Sequence, residues 1–253
     1  MQDGPRHQRS QRGEATLREA WASQAQNWIR WARTPQHDSY WRFHGRQFLS
    51  LVPQPGEQTV DLGSGEGRLA RELSKRGHNV VAIDASEALT VAAREADPSI
   101  PVIQADAARL PIRDATADLV LAFMSLQDVD DMPGAVREAA RVLVPGARFC
   151  FAIVHPLNSA GSFIDESADS PFVISGPYLE SFRYEDRVER DGLEMSFFSD
   201  HRSLETYFEA LAAAGFVVER LREPPVPDEA ALAPWQRRWQ RVPLFLHVLA
   251  VRR

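Results

Sequence analysis

The stretch TVDLGSGEGRLA, residues 59–70, constrains this chain more than any other. An apolar run ending at Leu62 meets glycines at positions 63, 65 and 67, and a helical pattern starts at Arg68. The reading is strand, tight loop, helix. Glycine tolerates positive φ and lets backbone approach a ligand with no Cβ in the way. The helix behind the loop presents free N–H groups at its N-terminus. Such a unit holds a small molecule at the C-terminal end of the first strand of an open α/β sheet.

The sequence on either side keeps that rhythm. Short runs rich in Val, Ile and Leu at 58–62, 79–84, 101–105, 117–123 and 147–154 read as strands covered on both faces. Helical patterns at 67–76, 86–96 and 133–143 alternate with them, and Gly77 and Pro145-Gly146 mark helix stops. Alternation of this kind implies right-handed crossovers and a doubly wound sheet. Ahead of it, 14–33 is helical, Thr34-Pro35 ends that helix, and Asp38 or Ser39 caps a second helix to about Leu51. Four of the six tryptophans, Trp21, Trp28, Trp31 and Trp41, fall in this N-terminal cap, residues 14–52. They either pack the helices on the sheet or line a pocket mouth.

The rhythm breaks after Val154. Residues 156–176 read as loop, and 178–200 as two extended runs about the turn Arg190-Asp191-Gly192. Ser203 caps a helix over 203–214, Phe216 opens a strand, WQRRWQR reads as a short helix and 243–251 as a last strand. The segment 156–202 is long for a connection and reads as an inserted lid or hairpin, or as a dimer contact through its edge.

Composition narrows the function classes. A net charge of −6 argues against a nucleic-acid-binding surface. No apolar run nears the ~18 residues that span a bilayer, and the polar segment 1–13 reads as a disordered tail rather than a secretory signal. A single cysteine, Cys150, offers neither a disulfide within the chain nor a zinc site. The expectation is a cytoplasmic single-domain protein over 14–253, monomer or homodimer, without metal.

The glycine spacing is G-x-G-x-G, and Arg68 stands where a dinucleotide fingerprint needs its third glycine. An NAD(P)-dependent oxidoreductase is therefore the alternative, beside a non-catalytic cofactor-binding protein. Two acids sharpen the choice. Asp84 ends the second strand, where a carboxylate can accept hydrogen bonds from both ribose hydroxyls or cap the next helix. Asp106 follows the third strand, where it can accept from an exocyclic adenine amine or form a turn.

The motifs VDLGSGEGRLA, VVAIDAS, QADAARLPIRDATADLVLAF and REAARVLVPGARFCFAIVHP resemble those of class I S-adenosylmethionine-dependent methyltransferases, in particular the small-molecule type 11 group. The resemblance runs from about residue 59 to 155. It implies a Rossmann-like, seven-stranded sheet whose last antiparallel pair comes from 216–222 and 243–251. It also implies S-adenosyl-L-methionine as cofactor. Asp61 and the loop of Gly63, Ser64, Gly65 and Gly67 would hold the methionine part, Asp84 the ribose, and Ala85 would lie beside the adenine. Asp106 would take the adenine amine and the Ala107 N–H a ring nitrogen. Phe123 and Met124 would flank the methionine moiety. Gln127 is counted with the cofactor contacts, although Gln127-Asp128 stands where the family often has histidine.

Methyl transfer is an in-line displacement that needs the acceptor aligned and water excluded. His155, just past the fifth strand, has the intrinsic pKa of a base near neutrality. It and Tyr40 are the catalytic expectations. Tyr40, Trp41 and Trp28 can also offer aromatic faces to the sulfonium. Asp128, Tyr178 and His201 rank lower, and His247 reads as structural. The acceptor is a small molecule whose methylated atom, O, N or C, is left open.

Overall fold

The computed structural model describes residues 15–230 and 233–253, together with the backbone of Gln8–Arg9. Eight helices and twelve strands follow one another in that part of the chain: β1 (Gln8–Arg9), α1 (Leu17–Arg33), α2 (Ser39–Leu49), β2 (Thr59–Leu62), α3 (Arg68–Lys75), β3 (Val80–Asp84), α4 (Glu87–Ala96), β4 (Val102–Gln104), β5 (Ala117–Phe123), α5 (Met132–Val142), β6 (Leu143–Val154), α6 (Pro156–Ala160), β7 (Gly161–Phe163), β8 (Phe172–Ile174), β9 (Phe182–Arg190), β10 (Leu193–His201), α7 (Leu204–Ala213), β11 (Phe216–Arg222), α8 (Pro234–Arg237) and β12 (Phe245–Arg252). Among the described residues, no helix is long and apolar enough to cross a membrane.

The central sheet has seven strands in the order β11-β12-β6-β5-β2-β3-β4. The strands β2 to β6 pair in parallel, and β12 runs antiparallel to both β6 and β11. The fold expected from the sequence is the fold observed. From β2 the chain moves one way to β3 and β4, then returns to β5 on the other side. The crevice between the C-terminal ends of β2 and β5 is thus the point where strand order reverses, the ligand site of open α/β sheets.

Both faces of the sheet are covered, which explains the unbroken apolar runs. On one face Val60, Leu62, Val120, Phe149, Phe151 and Ile153 pack with residues of α5 and α7. On the other, Ala82, Leu119, Leu121, Cys150 and Ala152 pack with Phe48 and Leu49 of α2 and Leu69 and Leu73 of α3. Cys150 is fully buried, and burial pushes its thiol pKa up.

The helix starts follow local chemistry. Thr16 caps α1 in a capping box with Glu19, Asp38 caps α2, and Ser203 caps α7. The hairpin β9–β10 turns at Asp191 (φ 49°) and Gly192 (φ 75°), the two positive-φ positions of a tight turn. One expectation changes. Residues 156–176 are not all loop: α6 and the two-stranded β7–β8 lie there. The disordered tail expected over 1–13 lies outside the described residues, apart from the backbone of Gln8–Arg9, which pairs with Tyr184 and Glu185 of β9.

One buried anion joins the cap to the sheet. Glu66, in the glycine loop and 2% exposed, accepts from Arg33 of α1 at 3.0 Å and from Arg71 of α3 at 2.8 Å, with Arg68 at 3.9 Å. Arg33 also donates to the Ala92 carbonyl of α4. Removing one side of a buried charge cluster leaves the other uncompensated. Glu66→Ala is expected to lose about 1–3 kcal/mol of stability in denaturant titration, with Glu66→Gln losing less.

Candidate active site

A cavity of about 350 Å³ opens at the β2/β5 crevice. Its floor is the glycine loop and the ends of β2, β3 and β5. Its roof is α1, α2 and the hairpin β9–β10. All six tryptophans of the chain line it, Trp235 and Trp239 from the C-terminal connector joining the four N-terminal ones.

The loop geometry follows from its glycines. Gly63 has φ 71°, and a Cβ there would lie 2.4 Å from the Ser125 Cβ. Gly65 has φ 58°, and a Cβ there would press on the Trp28 indole nitrogen at 3.2 Å. Its N–H donates to Asp84 Oδ2 at 2.9 Å, while Asp84 Oδ1 accepts from the Ser86 N–H at 2.9 Å. Gly67 does not line the cavity; it begins α3 with φ 83°.

Three buried polar atoms of this floor have no protein partner: Asp61 Oδ2, Ser64 Oγ and Gln127 Oε1. Asp61 is 1% exposed. Burial, and then the charge of Asp84, push its carboxyl pKa up to about 7. Burial also raises Asp84. Two carboxylates drawn so close out of water call for a cationic ligand.

At the far end, Asp106 Oδ1 accepts from the Ala108 N–H at 2.9 Å and Oδ2 from Arg18 at 2.7 Å. Ala85 and Ala107 line the cavity beside it. At the end of β5, Phe123 and Met124 also line it. Met124 takes φ 57°, costly for a side-chain-bearing residue and concentrated in proteins at functional sites. Ser125 locks the turn by donating to the Leu62 carbonyl at 2.7 Å.

The two catalytic expectations part company. His155 does not line the cavity, although Val154 before it does. Its side chain leaves the opposite side of the strand end and is 2% exposed. Nδ1 accepts the Leu157 N–H as the cap of α6, and Nε2 meets Glu223 at 3.0 Å. Burial lowers its pKa against the pull of Glu223. Its surroundings are those of a strand-end histidine that fixes a turn. Tyr40 does line the cavity, its ring edge-on to Phe245 at 5.0 Å. Burial, then the carboxylates Asp186 and Asp38, raise its phenol. A phenol raised in this way favours its protonated form. Of the lower-ranked residues, Asp128 lines the cavity. His201 is tied to Ser159 and the Tyr178 carbonyl, and His247 pairs with His44 at 2.7 Å.

The roof holds residues the sequence reading did not assign to the site. Tyr184, Asp186, Val188 and Arg190 of β9 and Phe197 and Ser199 of β10 face the cavity. They recur at every second position, as one face of a strand must. That period is present in FRYEDRVER, but charged residues on both faces mask it. Phe197 meets Trp21, Trp28 and Trp31 with ring centroids 6.1–6.2 Å apart.

Residues 60–151 match the family model of a methyltransferase domain. A demethylmenaquinone methyltransferase of Corynebacterium kroppenstedtii is 38% identical over 111 residues, 44% of this chain and 47% of that protein. The ubiquinone/menaquinone biosynthesis C-methyltransferase UbiE of Caulobacter vibrioides is 35% identical over 121 residues, 42% of this chain and 48% of that protein. The chain thus spans about half the length of the curated relatives it matches. Among solved structures, an S-adenosylmethionine-dependent methyltransferase from Mesorhizobium loti superposes with a TM-score of 0.68 at 26% identity, over 83% of this chain and 97% of that one. In its motifs, its strand order and its ligand crevice the chain is similar to the class I S-adenosylmethionine-dependent methyltransferases, and residues 60–151 carry the methyltransferase domain of the type 11 group.

Proposed function

We propose that this chain transfers the methyl group of S-adenosyl-L-methionine to a small molecule held in the cavity. The observation that carries the reading is the row of acceptors along the floor: the partnerless Asp61 Oδ2 and Ser64 Oγ, then the carboxylates of Asp84 and Asp106 past the next two strands. Asp61 Oδ2 suits the α-ammonium and the Ser64 hydroxyl the α-carboxylate. Asp84, with the glycine loop 63–67 fixed against it, suits the ribose hydroxyls, and Ala85 lies next to it. Asp106 suits the adenine amine, an acceptor it already offers to Arg18, and the Ala107 N–H a ring nitrogen. Phe123 and Met124 flank the middle. Gln127 stands at the border between the cofactor and the acceptor room.

When bound, the cofactor supplies a methyl group on a positively charged sulfur. The protein's part is positioning and exclusion of water. Residues 14–52 form the cap and 156–202 the lid of one domain, and the aromatic walls they bring favour a positive charge below them. Tyr40 donates a hydrogen bond to the acceptor. One named relative is a demethylmenaquinone methyltransferase, and an apolar or aromatic acceptor body fits this tryptophan-lined room. Arg68, which pairs with Asp38 at 2.8 Å, occupies the third glycine position of a dinucleotide site. Titration with NADH should show no binding.

Calorimetry with S-adenosylhomocysteine tests the cofactor site. Asp84→Ala should weaken binding at least about tenfold, since it removes charge-assisted hydrogen bonds. Unchanged affinity would refute the assignment. A second test follows from Asp61. Its folded carboxyl, near 7, is protonated below that pH, whereas a bound ammonium favours the carboxylate. Binding below pH 7 therefore releases a proton. Affinity should climb, by up to about tenfold per pH unit, as pH rises to neutrality and flatten above it. Asp61→Asn should abolish the slope.

A further inference from the structure

Eight aspartates and three arginines line the cavity, an acidic excess larger than one cationic cofactor accounts for. Most of the aspartates are engaged. Asp38 pairs with Arg68 and Asp106 with Arg18. Asp130 receives the Leu17 and Arg18 amides and Arg183, and Asp131 caps α5. Asp61 and Asp84 belong to the cofactor site proposed above. Arg190 is turned onto the carbonyls of Gln36 and His37. On the acceptor side stands Asp128, with Asp186, itself partnered, nearby.

No guanidinium, ammonium or imidazole among the described residues lies within ion-pair distance of Asp128, although the Arg202 charge reaches it and the Gln127 Nε2 stands 3.5 Å from its Oδ2. Its Oδ1 accepts the Ser199 hydroxyl at 2.6 Å, which aims the carboxylate along the roof of the room. Beside it Gln127 is 5% exposed. The Gln127 Nε2 donates to the Met124 carbonyl at 2.7 Å, which fixes the amide orientation. The atom without a partner is therefore Oε1, an acceptor. Asp186, 7% exposed, adds a second carboxylate near the Tyr40 and Tyr184 rings.

We propose that the acceptor is a protonated amine on an apolar or aromatic body, its ammonium held between Asp128 and Gln127 Oε1. The inference rests on the methyltransferase reading and names its substrate class. An ammonium brings two or three N–H donors and a positive charge to neighbouring acceptors. A phenol or quinol hydroxyl brings one donor and no charge, and would leave a buried acceptor unsatisfied. Tyr40 and Tyr184, whose phenols feel the charge of Asp128, line the cavity and can offer aromatic faces to an ammonium there.

The reaction balances in this room. Asp128 accepts one proton from the ammonium, and the freed nitrogen lone pair forms a bond to the methyl carbon as the carbon–sulfur bond breaks. Ammonium and sulfonium become N-methylammonium and thioether, and the proton leaves from Asp128 to solvent.

The test uses the full chain loaded with S-adenosylhomocysteine, whose binding is first measured calorimetrically. Absence of that binding sinks the methyltransferase reading, not this one alone. Phenethylamine, its neutral isostere 2-phenylethanol and 1,4-dihydroxynaphthalene are then titrated by calorimetry or ligand-observed NMR. The expected result is that the amine binds at least about tenfold tighter than either neutral probe. The preference should be lost in Asp128→Asn, with S-adenosylhomocysteine still bound by that variant. Equal binding of the three probes, preference for a neutral one, or a preference that survives Asp128→Asn overturns the proposal. The comparison of probes on the unaltered protein decides the matter even where a variant fails to fold.

Discussion

The salt-bridged carboxylate of Glu66 is the constraint on which the rest of this structure depends. It sits within the glycine loop, yet two of its partners come from α3 and one from α1. A loop rich in glycine is entropically expensive to hold in one conformation. Here one buried anion, met by guanidinium groups from two helices, fixes the loop and at the same time seats the N-terminal cap above it. The ligand crevice and its cover are thus set by the same few atoms. The helix α1 is held at its other end by Asp130, which receives its first amides, so the cap is pinned at both ends of the cavity.

The chemistry of the floor is a balance between charge and burial. Asp61 and Asp84 come from neighbouring strands and point the same way, and both are drawn out of water. Their neighbours offer backbone N–H groups to Asp84 but leave one oxygen of Asp61 bare. In that state the pair resists carrying two negative charges. A ligand with an ammonium at one point and hydroxyls at the next relieves the conflict at both. The selectivity of the floor is in this sense electrostatic before it is steric.

How much of this could be read from the sequence differed by region, and for physical reasons. The floor was legible because its residues are local to strand ends: Gly63, Asp84, Asp106 and Phe123 each sit where a short apolar run stops. The seven-strand order needed the family resemblance, since β11 and β12 are far from the parallel strands in sequence. The roof was not legible. In β9 the inward residues Tyr184, Asp186, Val188 and Arg190 include two charged side chains beside the all-charged outward Arg183, Glu185, Arg187 and Glu189, so the period of two carries only a weak hydropathy contrast. His155 shows the opposite failure. Its place beside a strand end suggested chemistry, but one residue of register turns the ring from the cavity to Glu223. Asp128 stood where a histidine was looked for, and its significance appears only when Ser199, 71 positions later, is folded against it.

Phe197 has a consequence for how such a protein can change over generations. It hangs from the roof hairpin into the acceptor room, and its ring also rests on Trp28, the indole that lies over Gly65. A smaller side chain at 197 would enlarge the space for new acceptors and at the same stroke loosen the cover of the glycine loop. Widening the range of molecules accepted is therefore coupled to a weaker hold on the methyl donor. Lineages exploring new acceptors through this position would need a compensating change among Trp21, Trp28 and Trp31 before the gain could persist.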